Sequence, residues 1–512
     1  MRLLPDAMPL SGRELRDSIL SILARDWPLS AREVYSQVRK THKLSVTYQG
    51  VHKSLRQMVS EGVLLAEDGK YLVNVKWARQ MADFGNKIAT TYASKAAKTY
   101  LEVGVGSSVE RDAFQAGKEA ATKALKQLKH EKPLQLVLVF SSSIYDVAYE
   151  KLLAGVRAVT KKAPLAGCST FGEIANRPLA KSVAVMLFAA DKENFSAQII
   201  CLPIKPEQYE TGDFKKTAAE LERQIKQGGR TPEFGILLTP GYMLFHNLET
   251  ITPALMEQLI VKTKLPFPLV GGLAGDDWHL ERTPLFCEGK AYEEHILLVA
   301  IRTKLKFGIA WKHGYSPVSS NKFKIRMDAE GFITEMAKVE KGKPGKWRPC
   351  TEVYMKETGI SSKELKEITP FLKEVITQNK ALPMKRVSNN LLSFPYDVKG
   401  TAIRFQKMVS DGDVIQVMRT TADQLESTSP AALQEAFDKA GIQAPAGALF
   451  FICAAFECIL SNQHRNEIAA MRKGKYKSLP MAGFYSGGEI WSFHQPQASG
   501  TTLAVAFGNE LR

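Results

Sequence analysis

The sequence contains nearly the same ten residues twice, far apart in the chain. The first copy is LAGCSTFGEI at residues 165–174, and the second is MAGFYSGGEI at residues 481–490. An alanine, two glycines, a glutamate and an isoleucine coincide, and each copy follows an apolar run. A looser third copy, PLVGGLAGDDW at residues 268–278, follows the run FGILLTPG at residues 234–241. The repetition predicts that one β-helix-β-glycine-turn unit is used three times.

Length and composition indicate a globular chain of several domains. A chain of 512 residues exceeds what one hydrophobic core supports. The longest apolar runs, at residues 183–190 and 448–456, fall well short of the roughly 20 residues that a membrane helix requires. The N-terminal segment carries charge and proline where a secretory signal has an apolar core. We therefore expect a cytoplasmic protein that does not associate with a membrane.

The cysteines give no sign of a metal site or a disulfide framework. No Cys-x-x-Cys pair occurs and no histidine lies at zinc-finger spacing, so we expect reduced, mostly buried thiols. Asp276, Asp277 and His279 are an alternative metal set. Adjacent carboxylates on a strand point apart, however, which favours a solvated loop. The six cysteines are Cys168, Cys201, Cys287, Cys350, Cys453 and Cys458.

Positive charge is concentrated near the N-terminus. Residues 1–100 contain 16 Lys and Arg against nine Asp and Glu, in a chain whose formal net charge is +16. A basic surplus of this kind favours contact with nucleic acid or with acidic surfaces.

The pattern of the N-terminal segment is three helices followed by a hairpin. Ser30 is a suitable N-cap for the second helix, and Val51, Leu55 and Met58 give the third helix one apolar face. Asp68-Gly69 is a tight-turn dipeptide between two short strands. Residues 1–92 therefore resemble prokaryotic winged helix-turn-helix regulators, with an additional helix at residues 74–92.

In the DNA-binding interpretation, the solvent side of the third helix faces the major groove and the wing meets a phosphate. The alternative is that these polar residues only solvate a small helical domain. A homodimer is expected because winged helices bind paired half-sites. Trp77, Met81 and Phe84 then form a seam, although the same stripe suits an intramolecular core. The residues predicted to contact double-stranded DNA are Thr47, Tyr48, Gln49, His52, Lys53, Arg56 and Lys70.

Beyond residue 100, apolar runs alternate with helix-length segments. This alternation predicts an α/β fold with strands buried on both faces, α+β overall when the N-terminal domain is included. Residues 338–349, KVEKGKPGKWRP, are basic, rich in Gly and Pro and without periodicity. We predict that they are a linker between an α/β domain at residues 93–340 and a second one at residues 341–512.

Several phrases carry a family resemblance. GCSTFGE (167–173), VGGLAGD (270–276) and HGYSP (313–317) resemble the FIST N-terminal domain. CTEVYMKETG (350–359), GALFFICAAFE (447–457) and PMAGFYSGGEI (480–490) are similar to the FIST C-terminal domain. The resemblance implies a sensory module that binds a small molecule, with amino acids as the suggested ligand class and haem associated with some bacterial members. Joined to a winged helix, it implies a one-component transcription regulator.

The sequence departs from the family pattern at one position. Many members have a glycine and an arginine after the cysteine of the late strand, whereas Cys453 is followed by Ala454 and Ala455. A guanidinium at that position is therefore not available to bind a ligand carboxylate, and the partner of an acidic ligand is then Arg465 or lies elsewhere.

Glycine turns that follow buried strands leave backbone N–H groups open to a ligand at the carboxyl ends of the strands. Alternatively, the glycines permit sharp turns and close packing, and the glutamates cap helices or meet basic neighbours. Repetition favours this second interpretation, because a repeated fold must reproduce its turns. The predicted ligand-binding residues are Gly167, Cys168, Ser169, Thr170 and Glu173 in the first turn, Gly271, Gly272 and Asp276 in the second, and Gly483, Tyr485, Ser486 and Glu489 in the third.

An enzyme is the rival hypothesis. Cys168 or Glu173 would then catalyse acyl or amide chemistry, with His313 or His279 as a base. His313 is also weighed as a haem ligand, but a role in holding a turn is preferred. The sequence contains no nucleophile elbow, P-loop, dinucleotide fingerprint or His-Glu-x-x-His motif. We therefore favour a non-enzymatic regulator.

Overall fold

The computed structural model describes residues 13–42, 44–96, 99–129, 132–241, 265–279, 281–367, 378–379, 382–406, 409–472, 476–491 and 500–512. The chain divides into two compact units, Met1–Ala97 and Lys98–Arg512. Among the helices of the described residues, none is both long enough and apolar enough to cross a membrane.

The first unit packs three helices against a small antiparallel sheet, and a fourth helix follows. Ser30 caps the second helix in a reciprocal capping box with Glu33. Asp68 and Gly69 adopt the positive φ angles, 49° and 72°, of a tight hairpin turn. The expected helices and hairpin are thus present. In chain order the elements are α1 (Arg13–Arg25), β1 (Leu29–Ser30), α2 (Ala31–Thr41), α3 (Tyr48–Ser60), β2 (Leu64–Glu67), β3 (Lys70–Val73) and α4 (Val75–Ala96), with sheet order β1-β3-β2.

The second unit opens with two similar β-rich repeats. The first contains β4 (Leu101–Ser108), α5 (Ala113–Leu125), β5 (Leu134–Ser141), a 3-10 helix (Ser143–Ala148), α6 (Tyr149–Thr160), β6 (Leu165–Ser169), β7 (Glu173–Ala175), β8 (Pro178–Leu179) and β9 (Val183–Ala190). The second contains β10 (Phe195–Pro203), α7 (Pro206–Thr211), α8 (Lys215–Gln227), β11 (Phe234–Thr239), β12 (Leu269–Leu273), β13 (Leu285–Cys287), β14 (Lys290–Tyr292) and β15 (His295–Thr303).

A third repeat begins at β16 (Leu305–His313) and resumes after a separate sheet with its own apolar core. The segment that forms this separate sheet contains, in chain order, β17 (Tyr315–Pro317), β18 (Phe323–Met327), β19 (Phe332–Glu340), β20 (Lys343–Pro349), α9 (Cys350–Thr358), α10 (Ser362–Lys366), β21 (Met384–Arg386), β22 (Leu392–Ser393), β23 (Pro395–Lys399), β24 (Ala402–Phe405) and β25 (Val414–Thr420). The repeat then continues through α11 (Ala422–Ala440), β26 (Pro445–Cys453), α12 (Ala454–Asn462), α13 (Glu467–Arg472), β27 (Met481–Ser486), β28 (Glu489–Trp491) and β29 (Thr501–Leu511).

The three repeats have the same strand order. They run β4-β9-β5-β6, β10-β15-β11-β12 and β16-β29-β26-β27, each with one parallel pair beside a long antiparallel strand. The three sheets therefore repeat the strands of one unit, as the sequence predicted, and the helix expected between β11 and β12 lies outside the described residues. Residues from all three sheets meet in one apolar cluster that includes Phe140, Leu238, Val270, Phe451 and Phe484.

Each repeat also gives a short strand to another repeat. After β6, the chain forms β7, which pairs with β27 of the third repeat. After β12 it forms β13, which pairs with β6, and after β27 it forms β28, which pairs with β12. The exchange is cyclic, so every parallel pair is completed at its edge by a neighbouring repeat.

The predicted linker is wrong. Residues 338–349 lie within the hairpin of β19 and β20, where the Arg326 guanidinium stacks 4.0 Å from the Trp347 ring. The end of β19 and nearly all of β20 are exposed, so the segment lacks the apolar alternation by which strands are identified. The ranges 93–340 and 341–512 share the third sheet through the β16–β29 and β7–β27 pairs. The division into these two domains stays a prediction.

Candidate functional site

The three glycine turns are joined by the same pair of backbone hydrogen bonds. The N–H of Phe171 donates to the Tyr485 carbonyl at 3.2 Å, and the N–H of Tyr485 donates to the Gly172 carbonyl at 2.8 Å. Buried N–H groups need partners, and here each turn supplies them to the next. The equivalent bonds link Gly487 and Gly488 to Leu273, and Gly275 and Pro284 to Ser169.

The first glycine of each turn is required by strand packing. A Cβ atom at Gly167 would lie 1.8 Å from the Val139 carbonyl oxygen, and one at Gly271 would lie 1.8 Å from that of Leu237. At Gly483 the distance to the Phe450 carbonyl oxygen would be 2.1 Å. Each carbonyl belongs to the parallel partner strand, so only glycine permits this approach. The packing role proposed as the alternative accounts for these three positions.

Two turns enclose a buried glutamate. Glu173 accepts hydrogen bonds from the Thr170 hydroxyl at 2.6 Å and from the Ser182 hydroxyl directly before β9. Burial raises its pKa to about 8, although both hydroxyls act in the opposite direction. The side chain therefore joins its turn to the start of the next long strand.

Glu489 repeats this arrangement in the third turn. It accepts hydrogen bonds from the Ser486 hydroxyl at 2.8 Å and from the Thr501 hydroxyl at the start of β29. Burial raises its pKa to about 8 as well. In the strand exchange Glu173 lies opposite Phe484 and Glu489 opposite Gly272, whereas Leu285 takes the corresponding place opposite Cys168. The second turn thus has no glutamate at this position.

The second turn differs in a further way, because it contains an insertion. In the first and third turns, the two residues that make the linking hydrogen bonds are adjacent in the chain. In the second turn these two residues are Gly275 and Pro284. Residues 276–283 therefore interrupt the repeat. The Asp277 carboxylate holds the insertion over the end of β5, accepting bonds from the Ser142 hydroxyl at 2.6 Å and from the N–H and hydroxyl of Ser143 at 2.7 and 2.8 Å. The Asp276 carboxylate accepts hydrogen bonds from the backbone N–H groups of Glu281 and Arg282 at 2.6 and 3.1 Å.

Trp278 is the unusual residue of this insertion. Asp277 and Trp278 both have positive φ angles, 53° and 72°, a conformation that is rare for a bulky side chain. The indole packs against the Phe171 ring at 4.8 Å between centroids. Its buried Nε1–H has no hydrogen-bond partner among the residues that the structure describes. A buried donor without an acceptor costs about 1–3 kcal/mol, so this N–H is suited to a ligand oxygen.

A second group of charged residues surrounds the end of β27. The Tyr485 hydroxyl donates to buried Glu467 at 3.0 Å, and burial raises the pKa of Glu467 to about 7. The Arg465 guanidinium pairs with both Asp423 and Glu426, so its charge is already balanced. Sequence reasoning missed Glu467 because its helix is short and shows no distinctive spacing.

The proposed catalytic groups are placed unfavourably for catalysis. Cys168 is fully buried in β6, and burial raises the pKa of its thiol well above its usual value, which disfavours the nucleophilic thiolate. The His313 Nδ1 atom accepts the N–H of Tyr315 at 3.3 Å, as expected for a residue that holds a turn. Among the described ranges, no group of three or more His, Cys, Asp or Glu residues is placed to hold a metal ion.

In the N-terminal unit, the seven polar residues singled out above lie on its solvent side, whereas Val51, Leu55 and Met58 point into its core. The Thr47 hydroxyl caps α3 by accepting the N–H of Gly50 at 3.1 Å. The His52 ring is half-buried and stacks on Tyr48. The exposed members are Thr47, Tyr48, Gln49, Lys53, Arg56 and Lys70. We call these seven residues the α3 face.

Comparison with known proteins agrees with the resemblance. The FIST N domain model matches residues 135–335, and the FIST C domain model matches residues 352–492. An uncharacterized protein of Methanocaldococcus jannaschii is 23% identical over 194 residues, which are 38% of this chain and 36% of that relative. The chain thus spans about a third of that relative's length.

Similar solved structures include a cyanuric acid hydrolase from A. caulinodans, with a TM-score of 0.24 and 7% identity over 40% of this chain and 73% of that one. Another is T. maritima PurL complexed with FGAR, with a TM-score of 0.18 and 11% identity over 80% of this chain and 72% of that one. Neither likeness is close enough to carry an argument. The two domain matches indicate ligand sensing and signalling, and they show that this chain contains the FIST N and FIST C domains at residues 135–492.

Proposed function

We propose that this protein is a one-component transcription regulator, in which the FIST domains bind a small molecule and the N-terminal unit binds double-stranded DNA. The order helix, strand, helix, helix, strand, strand, with sheet order β1-β3-β2, supports a winged helix-turn-helix for this unit. In that arrangement α3 is the recognition helix and the turn at Asp68-Gly69 is the tip of the wing.

The observation that carries the proposal is the α3 face. Lys53 and Arg56 are exposed one turn apart on the side of α3 opposite its buried apolar residues. Gln49 lies one turn before Lys53, so an amide and two cations follow one another along the exposed side. Amide and guanidinium groups bind base edges, and cations bind phosphates.

We place the ligand at the insertion of residues 276–283. The indole N–H of Trp278 is a donor without an acceptor, and the Phe171 ring offers an apolar surface beside it. A carboxylate oxygen fits this donor, which is consistent with an amino acid as the ligand class. The other predicted ligand residues, from Gly167 to Glu489, support the turns through the packing and hydrogen bonds described above. Direct ligand contact by them remains a prediction.

Regulation also requires that the two functions be coupled. A ligand shifts the protein between two states only if it binds one of them more tightly. We further propose a cytoplasmic homodimer. Phe84 of α4 is exposed and available for a seam, whereas Trp77 packs against the core of its own unit.

A salt-dependent DNA-binding experiment tests this proposal. Fluorescence anisotropy with a labelled duplex would be measured at several salt concentrations for the wild type and for the double variant Lys53→Ala/Arg56→Ala. We expect affinity to fall steeply with salt and to drop at least about tenfold in the double variant, because two contacts of about 1–3 kcal/mol are lost.

The matched control is Lys76→Ala/Arg79→Ala, which removes the same charge from exposed positions of α4. It should bind DNA nearly as well as the wild type. If both double variants lose the same DNA affinity, the loss reflects net charge and not contacts made by α3. If Lys53→Ala/Arg56→Ala binds DNA as tightly as the wild type, α3 is not the recognition helix.

A further inference from the structure

The hairpin of β19 and β20 is an exposed ribbon at the edge of the separate sheet. Its turn, Lys341-Gly342, has positive φ angles of 49° and 78°, and Glu340 pairs with Lys343 on either side of it. A two-residue turn of this kind fixes the register of the two strands. Among the described residues, β20 pairs with β19 and with no other strand. The hairpin therefore offers an ordered surface that no further strand covers.

Positive charge dominates this hairpin. Residues 338–348 contain five Lys and Arg against the single carboxylate of Glu340. Lys338 lies 4.0 Å from that carboxylate. Arg348 pairs with Glu352 at 3.0 Å. The other three cations are exposed and make no ion pair within the described part of the chain, so their charge is not balanced locally. These three are Lys341, Lys343 and Lys346.

A bulge in β20 brings the cations to one face of the hairpin. The register shifts once, so that two residues of β20, Gly345 and Lys346, lie opposite Lys338. Residues that lie opposite one another share a face of a two-stranded ribbon, so Lys346 shares a face with Lys338. Lys343 is on this face as well, because its partner Glu340 is two residues beyond Lys338. Without the bulge, Lys343 and Lys346 would lie on opposite faces.

The other face of the hairpin is covered by an aromatic contact. Trp347 is half-buried, with the Arg326 guanidinium 4.0 Å from its ring. None of the large apolar side chains that are exposed in the described residues lies on the hairpin. Segments that lie on a membrane surface bury an apolar face beside their cations. The cations of this hairpin have no such companion, which favours a hydrophilic polyanion over a lipid surface as the partner.

We propose that the β19–β20 hairpin is a second DNA contact, in which its lysines bind the phosphates of a duplex. The inference rests on the proposed function for its partner, double-stranded DNA. Three residues of a strand rise about 10 Å and one DNA strand has a charge about every 3.4 Å of helix axis, so Lys343 and Lys346 can meet separate phosphates. Such contacts position a protein on DNA and do not read its sequence.

The family matches do not account for this hairpin. The FIST N match ends at residue 335, and the FIST C match begins at residue 352. The charged part of the hairpin, residues 338–348, lies between them. Its lysines are therefore a feature of this chain that neither domain match explains.

Salt-dependent DNA binding by the full-length protein tests the inference. The Kd would be measured by fluorescence anisotropy at several salt concentrations, with two labelled duplexes of unrelated sequence. The variant Lys341→Gln/Lys343→Gln/Lys346→Gln keeps long polar side chains and removes their charge. We expect its Kd to rise at least about tenfold on both duplexes, and the slope of log Kd against log salt to decrease by about one for each lysine.

The matched control is Lys118→Gln/Lys151→Gln/Lys216→Gln, which removes the same charge from exposed positions of α5, α6 and α8. It should bind both duplexes nearly as tightly as the wild type, and circular dichroism would check that both triple variants are folded. An equal loss of affinity in the two triple variants would overturn the inference. Binding to phosphatidylserine vesicles that depends on the hairpin lysines, with an unchanged duplex Kd, would also overturn it.

The Lys53→Ala/Arg56→Ala variant separates this inference from the proposed function. We expect both sets of changes to weaken duplex binding. If only the hairpin variant loses affinity, the hairpin contact stands and α3 is not the recognition helix. If only the α3 variant loses affinity, the hairpin contact is wrong and the proposed function stands. A wild-type protein that binds neither duplex would contradict both.

Discussion

At the scale of single residues, the buried glutamates explain why the same ten-residue phrase occurs twice. Each glutamate lies in a turn. It accepts one hydrogen bond from a hydroxyl of that turn and a second from a hydroxyl at the start of a long strand. The sequence alone could show that the residues recur. It could not show the distant hydroxyls of Ser182 and Thr501, because neither stands at a recognisable spacing.

The raised pKa values of Glu173 and Glu489 predict a pH dependence of stability. Each has a folded pKa of about 8 against an ordinary value of 4.5. Between these values the unfolded chain releases a proton that the folded protein keeps, so the free energy of unfolding should decrease as pH rises from about 5 to about 8. Calorimetric melting temperatures across this range measure the effect.

The double variant Glu173→Gln/Glu489→Gln should flatten this dependence, because glutamine does not titrate and retains hydrogen bonding to the hydroxyls. Glu467, whose pKa is raised to about 7, should leave a smaller slope. Glu220→Gln is the control, because Arg223 and Gln224 lower the pKa of Glu220 to about 2, so this carboxyl titrates outside the range. A slope that the double variant leaves unchanged would show that these carboxyls are not protonated in the fold.

At the scale of secondary structure, patterns of apolar residues identified most long strands. The same patterns could not predict the exchange of short strands between repeats. β7, β13 and β28 have three residues each, too few for a periodicity. Their partners are set by the cyclic arrangement of whole repeats and not by local preference. The hairpin of β19 and β20 was mistaken for a linker for a related reason, since its exposed basic residues conceal the strand alternation.

The insertion of residues 276–283 carries its own prediction. Trp278→Phe keeps a ring against Phe171 and removes the buried N–H, so the melting temperature should stay the same or rise, given a penalty of about 1–3 kcal/mol for the unpaired donor. Trp278→Ala removes the ring contact and should destabilise by roughly 2–3 kcal/mol. Thermal unfolding of the ligand-free proteins measures both. Equal destabilisation by the two variants would indicate that the N–H has an acceptor.

At the scale of the whole molecule, the FIST N and FIST C matches are parts of one interlocked structure. β7 lies in the FIST N range and pairs with β27 of the FIST C range. β16 also lies in the FIST N range, and it pairs with β29, which follows the FIST C range. The sequence predicted the threefold repeat and the N-terminal helices and hairpin, because each depends on local patterns. It did not predict that the repeats complete one another's sheets, since that depends on contacts between residues far apart in the chain.

The central claim is that a ligand in the FIST domains changes DNA binding by the N-terminal unit. The most direct measurement is the Kd of the full-length protein for a labelled duplex at fixed salt, with and without each amino acid in turn. We expect at least one amino acid to change the Kd by about fivefold or more, the lower end of typical coupling between sites. The same amino acid should have less effect on Trp278→Phe, which folds but lacks the indole donor. A duplex Kd that no amino acid alters, in protein that binds DNA, would contradict the account.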